Sequence, residues 1–242
     1  MLKIKNVSAI VDTQEVLNDI NIEIKTGEIH AIMGPRYSGK STLAHLIQGN
    51  PYITVTSGSV MYKNKNISKV AAHKRSKLGI FASFQYPPEI DGLTNLQLLK
   101  ALYVARNGKE FAPELEKAYR EVVITIGLDS RFPDDPVNTS SRTPEDAKKG
   151  EILQMIMLQP DLTILDEIDL EMSEDALEQV IAIIKSYLEI PDKSLIVITH
   201  NKNLLDKLNP NYVHILVDGE IRATGTAELY KRIIEDGYPQ LS

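Results

Sequence analysis

Cysteine is absent from this sequence, which excludes disulfides, thiol catalysis and any cysteine-ligated metal or cluster carried by the chain itself. No apolar run approaches the roughly 20 residues needed to cross a bilayer, so direct membrane insertion is not expected. The N-terminus lacks the apolar core of a signal peptide, and a cytoplasmic location is the expectation. An excess of positive charge is missing too. The net charge is −6, which argues against a general nucleic-acid groove and leaves room only for a local basic patch. Internal repeats, low-complexity tracts and flexible linkers are also lacking. What is present is ordinary for a globular protein: 43% hydrophobic and 25% charged residues over 242 positions, enough for one large α/β domain.

The organisation changes twice along the chain. In the first third, Leu2 to Val7, Ile20 to Ile24 and Glu28 to Met33 carry β-branched residues, with Thr26-Gly27 as a tight turn. Ser59 to Tyr62 and Leu78 to Phe84 read as further strands. Lys40 to Gln48 has helical spacing and stops at Gly49-Asn50. The middle third is helix-like over Leu93 to Arg106 and Pro113 to Ile126, then passes through a Pro/Asp-rich loop at Phe132 to Pro136. A helical lobe over about 86–159, inserted into a single α/β domain, is the expectation. The last third alternates again: strand Leu162 to Leu165, helix Glu174 to about Leu188, strand Leu195 to Thr199, a short helix, and strand Val213 to Val217. Strands separated by helices imply parallel pairing.

Gly34-Pro35-Arg36-Tyr37-Ser38-Gly39-Lys40-Ser41-Thr42 fits the G-x-x-x-x-G-K-[ST] pattern. Glycines let backbone N–H groups turn inward around phosphate oxygens, and the helix N-terminus behind them favours an anion. Lys40 is placed to reach the outer phosphates of ATP or ADP, and the Ser41 hydroxyl to hold Mg²⁺. Average residue usage gives a chance match in roughly one chain of this length per hundred. The context sharpens that figure, because the apolar segment Ile29 to Met33 runs straight in and a helical pattern runs out. The bland alternative is a glycine turn between strand and helix.

Leu162-Thr163-Ile164-Leu165-Asp166-Glu167 reads as a buried strand ending in two acids. At the carboxyl end of a parallel strand, Asp166 suits a Mg²⁺ ligand, and Glu167 suits polarisation of an attacking water. Two solvated carboxylates capping the next helix are the alternative. His200 closes the strand Ser194 to Thr199, where an imidazole can touch a γ-phosphate. Taken alone, a strand-end histidine is more often structural.

The order of these motifs carries a resemblance. Gly34 to Thr42, Gln85 in Phe84-Gln85-Tyr86-Pro87, Leu165-Asp166-Glu167 and Thr199-His200 resemble the Walker A, Q-loop, Walker B and switch histidine of ABC ATPases. His30-Ala31-Ile32-Met33-Gly34-Pro35, Glu151-Ile152-Leu153-Gln154-Met155 and Tyr212-Val213-His214 are similar to the Suf iron–sulfur cluster assembly ATPase family in particular, SufC. The resemblance spans almost the whole chain. It implies a P-loop NTPase core with an N-terminal antiparallel β subdomain and an inserted helical lobe. It further implies that Gln85 links Mg²⁺ and the attacking water to that lobe, with SufB/SufD-type scaffold subunits as partners.

The sequence departs from the family in three places. Arg36-Tyr37 stands where relatives carry Asn-Gly. Ser140 to Lys149 replaces a signature resembling F-S-G-G-E-K-K-R. Ile168-Asp169-Leu170-Glu171-Met172-Ser173 replaces a D-loop resembling T-D-S-G-L-D. In place of the signature glycines stands helix-start chemistry: Thr143 as N-cap, Pro144 at N1, Glu145 and Asp146 in the first turn. Tyr37 meets a steric risk where a glycine's backbone angles are needed. Val11 stands near where many relatives place an aromatic ring against adenine. Single-subunit nucleotide binding is therefore expected to survive, and hydrolysis in a nucleotide sandwich to be impaired. The other reading is a non-hydrolytic or engineered variant, whose altered face serves as a homodimer interface. Tyr37, Ile168, Leu170 and Met172 would form its apolar cluster, rimmed by Arg36, Arg142, Glu145 and Glu171.

Overall fold

The structure is a computed structural model that describes residues 1–85, 87–137 and 143–238. Its contacts divide into two compact units, one of Met1–Ala82, Asp161–Glu167 and Pro191–Ser242, the other of Ser83–Pro160 and Ile168–Ile190. The chain begins with β1 (Leu2–Val11), β2 (Gln14–Ile24), β3 (Ile29–Met33), α1 (Lys40–Gln48), β4 (Ile53–Tyr62), β5 (Lys65–Asn66), α2 (Ala72–Lys77) and β6 (Ile80–Ala82). The middle holds β7 (Ile90–Thr94), α3 (Asn95–Asn107), α4 (Pro113–Thr125), β8 (Pro136–Val137) and α5 (Pro144–Leu158). Then follow β9 (Leu162–Asp166), α6 (Glu174–Leu188), β10 (Ser194–Ile198), α7 (Lys202–Leu208), β11 (Tyr212–Val217), β12 (Glu220–Gly225) and α8 (Ala227–Asp236).

In the first unit, alternation builds an antiparallel sheet of order β2-β1-β4-β5. Leu2, Ile4, Val7 and Ala9 of β1 and Leu17, Ile20, Ile22 and Ile24 of β2 are buried and join one core cluster with α1. A second sheet has the order β12-β11-β3-β10-β9-β6. Its strands from β11 to β6 pair parallel, with β12 as the antiparallel edge. Every residue of β9 and β10 is buried, as continuous apolar runs require when both faces of a strand are covered. Register then positions the site. Ile198 pairs with Ile32 on one side and Asp166 on the other, so β3, β10 and β9 end level. Gly34 and Glu167 follow immediately on the ends of β3 and β9, and His200 follows β10 after Thr199. The segment expected as one strand from Leu78 to Phe84 is shorter in fact. Gly79 turns at φ 107, where an added Cβ would lie 2.3 Å from Asp161 Oδ2, and only Ile80–Ala82 pairs.

In the second unit the helices start where their chemistry says. Thr94 and Gln97 form a capping box on α3, Pro113 sits at the start of α4, and Ser173 caps α6. Thr143 caps α5, accepting from Asp146 N, while the Asp146 carboxylate accepts from Thr143 N. At Gly150 an added Cβ would lie 2.8 Å from Phe132 Cζ, so this turn of α5 passes close over a buried ring.

Candidate functional site

The loop between β3 and α1 is shaped by close backbone approach. Gly34 has φ 157, and a Cβ there would meet the Leu216 carbonyl oxygen at 1.9 Å. Gly39, at φ 102, lies against Leu17 and Val16 and leads into α1. Tyr37 adopts φ 65, a left-handed conformation, and is fully exposed. The Ser38 hydroxyl is buried with no hydrogen-bond partner among the described residues. The first turn of α1 carries neither a capping side chain nor an acid. Its leading N–H groups and the positive end of its dipole are therefore left for an external anion.

Lys40 is buried beneath this loop. Its ammonium donates to the carbonyl oxygens of Gly34 at 2.8 Å and Pro35 at 2.7 Å. Burial lowers its pKa, opposed by the nearby carboxylates of Glu167 and Asp166. Asp166, at the end of β9, is 2% exposed. Burial raises its pKa, and a hydrogen bond from the Ser41 hydroxyl pulls the other way. A buried carboxylate beside a hydroxyl is a hard-oxygen donor pair, and a divalent cation would offset the cost of burying that charge. Glu167 has φ 49 and donates its N–H to the Ile198 carbonyl at 2.9 Å, which anchors it beside β10. His200 is exposed, and its Nδ1 lies 2.8 Å from the Tyr238 hydroxyl. Loop glycines, an open helix start, an orphaned hydroxyl and a cation-seeking carboxylate fit a Mg-nucleotide.

Gln85 lies in the second unit, half-buried in a bend after β6. Just before it, Phe84 N–H donates to the Glu151 carboxyl of α5 at 2.8 Å. Burial pushes the Glu151 carboxyl up to about 8. In α5's first turn, Glu145 accepts from Ser173 N and Oγ, both at 3.0 Å, and from Lys149 Nζ at 2.9 Å. One expectation is corrected here: Ile168 is 2% exposed, so it packs inward and contributes nothing to an exposed apolar cluster. Its apolar side chain finds a core, whereas Leu170, two positions on, is 42% exposed. Ser140, Ser141 and Arg142 lie outside the described residues. Sequence reasoning missed Tyr238, because no motif or spacing marks a lone tyrosine near the chain's end.

This architecture is that of an α/β P-loop NTPase of the ABC ATPase type. A solved dimeric ATP-binding cassette in a post-hydrolysis state, bound to ADP and Pi, matches at a TM-score of 0.80 and 24% identity, covering 93% of this chain and 98% of that one. An ATP-binding subunit of an ABC transporter matches at 0.81 and 20% identity, covering 97% and 93%. At such identities the likeness shows the fold. The family model described as ABC transporter matches residues 17–169, and the chain belongs to that family. Nucleotide binding is implied by membership.

More particularly, it is an ABC ATPase subunit related to ycf16 and SufC. A probable ATP-dependent transporter ycf16 of Cyanophora paradoxa is 39% identical over 100% of this chain and 95% of its own length. The iron–sulfur cluster assembly protein SufC of Plasmodium berghei is 39% identical over 94% of this chain and 63% of its own. Among the described residues, no helix is long and apolar enough to cross a membrane.

Proposed function

We propose that this chain binds Mg-ATP and Mg-ADP at the β3–α1 loop as the ATPase subunit of an iron–sulfur cluster assembly system, with turnover slower than in its relatives. The observation that carries the binding half is the open N-terminus of α1 behind a loop whose buried Ser38 hydroxyl has no hydrogen-bond partner among the described residues. Residues Gly34 to Thr42 hold the phosphates, Lys40 leaving the loop carbonyls for a phosphate oxygen. Ser41 and Asp166 would hold Mg²⁺. The bound cation supplies charge neutralisation at the transferring phosphate. Glu167 orients the attacking water, and His200 donates to the terminal phosphate. SufB/SufD-type scaffold subunits are the partners this reading implies.

Slow turnover rests on α5. Its first-turn N–H of Asp146 is taken by Thr143, and Glu145 is committed to Ser173 and Lys149. A helix start closed by its own side chains has little to offer a phosphate held by a second subunit. Losing such donors costs several kcal/mol of barrier lowering. Calorimetry with Mg-ATP on wild type and Lys40→Ala tests binding; equal affinity in the two removes the assignment. Steady-state turnover tests the rest, and a rate as fast as that of the relatives, abolished by Glu167→Gln, refutes the impairment.

A nucleotide-independent homodimer is the second reading. Tyr37 is 100% exposed and Leu170 42% exposed, with Met172 half-buried, so each unit presents an apolar side chain. Light scattering without ATP, repeated on a Leu170→Asp, Met172→Asp double variant, decides it. A monomer in the first measurement, or an unchanged dimer in the second, ends this reading.

A further inference from the structure

Tyr238 lies 38 positions beyond His200 and touches the site from outside every motif. Helix α8 stops at Gly237, whose φ of 77 releases the chain from the helix and turns Tyr238 back toward the end of β3. The phenol oxygen accepts from Gly34 N–H at 3.0 Å and lies 2.8 Å from His200 Nδ1. The two rings meet edge-on, centroids 6.0 Å apart at 85°.

With a neutral imidazole, the arrangement that keeps the phenol's own proton within the bridge runs as a single chain. An amide N–H can only donate, so Gly34 uses an acceptor lone pair of the phenol. The phenol's single proton then goes to His200 Nδ1, which becomes the acceptor, and the imidazole proton is left on Nε2. Burial pushes the Tyr238 phenol up to about 12, so this donor keeps its proton at any physiological pH.

We propose that Tyr238 is a positioning residue for His200, fixing an otherwise exposed imidazole in one orientation and in the tautomer that presents Nε2–H as a donor. The terminal phosphate of ATP is the acceptor it serves, which rests on the proposed nucleotide binding. A donor oriented before the ligand arrives spends no ordering entropy on binding. ADP has no such phosphate, so the effect falls on ATP alone.

The test uses the full chain and Tyr238→Phe, which removes one hydroxyl and keeps the ring. In ¹⁵N spectra, with His200 assigned through His200→Gln, the Nδ1 resonance of neutral His200 shifts to that of an imidazole receiving no proton donor. Fluorescent-nucleotide titrations with Mg²⁺ show Tyr238→Phe weakening ATP about fivefold, the worth of one hydrogen bond, with ADP unchanged. In a His200→Gln background the same substitution has no effect on ATP. An unmoved Nδ1 resonance overturns the bridge. Equal weakening of ATP and ADP, or a full effect in the His200→Gln background, overturns the positioning role. Absence of nucleotide binding in the wild type overturns the nucleotide reading and the phosphate clause together, while the Nδ1 signal still decides the bridge.

Discussion

Glu151 holds a buried carboxyl that the fold keeps protonated. Its ordinary pKa of 4.5 rises to about 8, chiefly by burial. Above pH 4.5 the unfolded chain releases this proton and the folded chain does not, so folding loses free energy as pH rises, until about pH 8. Glutamine preserves the acceptor for Phe84 N–H without the titration. Glu151→Gln is therefore expected to gain stability over wild type by about 1 kcal/mol per pH unit between pH 5 and 8, levelling above that. Denaturant midpoints across that range measure it, and parallel curves contradict it. Tyr37 poses a backbone problem instead. Its φ of 65 is strained for a side chain that, being fully exposed, packs against nothing. That strain costs roughly 1–2 kcal/mol, partly offset by the roughly 0.4–1 kcal/mol that glycine's unfolded-state freedom takes away. Tyr37→Gly should raise stability by about 0.5–1 kcal/mol in urea unfolding; a destabilised variant refutes the strain.

Elements carry their own tests. On α5, Gly150 faces the Phe132 ring at a distance that leaves no room for a methyl group. Alanine would gain about 1 kcal/mol of helix propensity, but overpacking against a rigid buried ring costs about 1–3 kcal/mol. Gly150→Ala is expected to lose about 1 kcal/mol net, and Phe132→Leu in the same chain should recover part of it. A stabilised Gly150→Ala single variant shows the ring moves freely. The ends of these helices were legible in the sequence, because Thr143, Pro144 and Ser173 act within four residues of themselves. The α1 span from Lys40 to Gln48 was legible for the same reason. The β7–β8 pair was not: Ile90 meets Val137 across 47 positions, and nothing local in either segment announces the other.

For the whole molecule, a ligand that binds only the folded state stabilises it by mass action. At a hundredfold excess of Mg-ATP over its dissociation constant, stability is expected to rise by about 2.7 kcal/mol, read as a shift in thermal midpoint. Lys40→Ala should lose the shift, measured against its own nucleotide-free midpoint. An equal shift in both chains contradicts nucleotide binding at this loop. The His30–His214 contact at 2.9 Å, with Glu28 and Thr224 at its two ends, belongs to this scale as well. It joins three strands, and burial lowers the His214 imidazole to about 4, so the chain stays neutral at His214 through the physiological range.

Local sequence was enough for the strand and helix periods and for the helix caps. Those depend on residues close together: alternating apolar side chains in a strand, a threonine and a proline at the start of a helix. Tertiary structure alone decided that Ile198 sits between Ile32 and Asp166, so that three strand ends share one edge. It also decided that Ile168 turns inward while Leu170 stays out, a choice of packing that two similar aliphatic residues do not encode. Tyr238 is the sharpest instance. Its partners lie 204 and 38 positions away, and hydrogen bonds over such separations exist only once the sheet and α8 have been assembled.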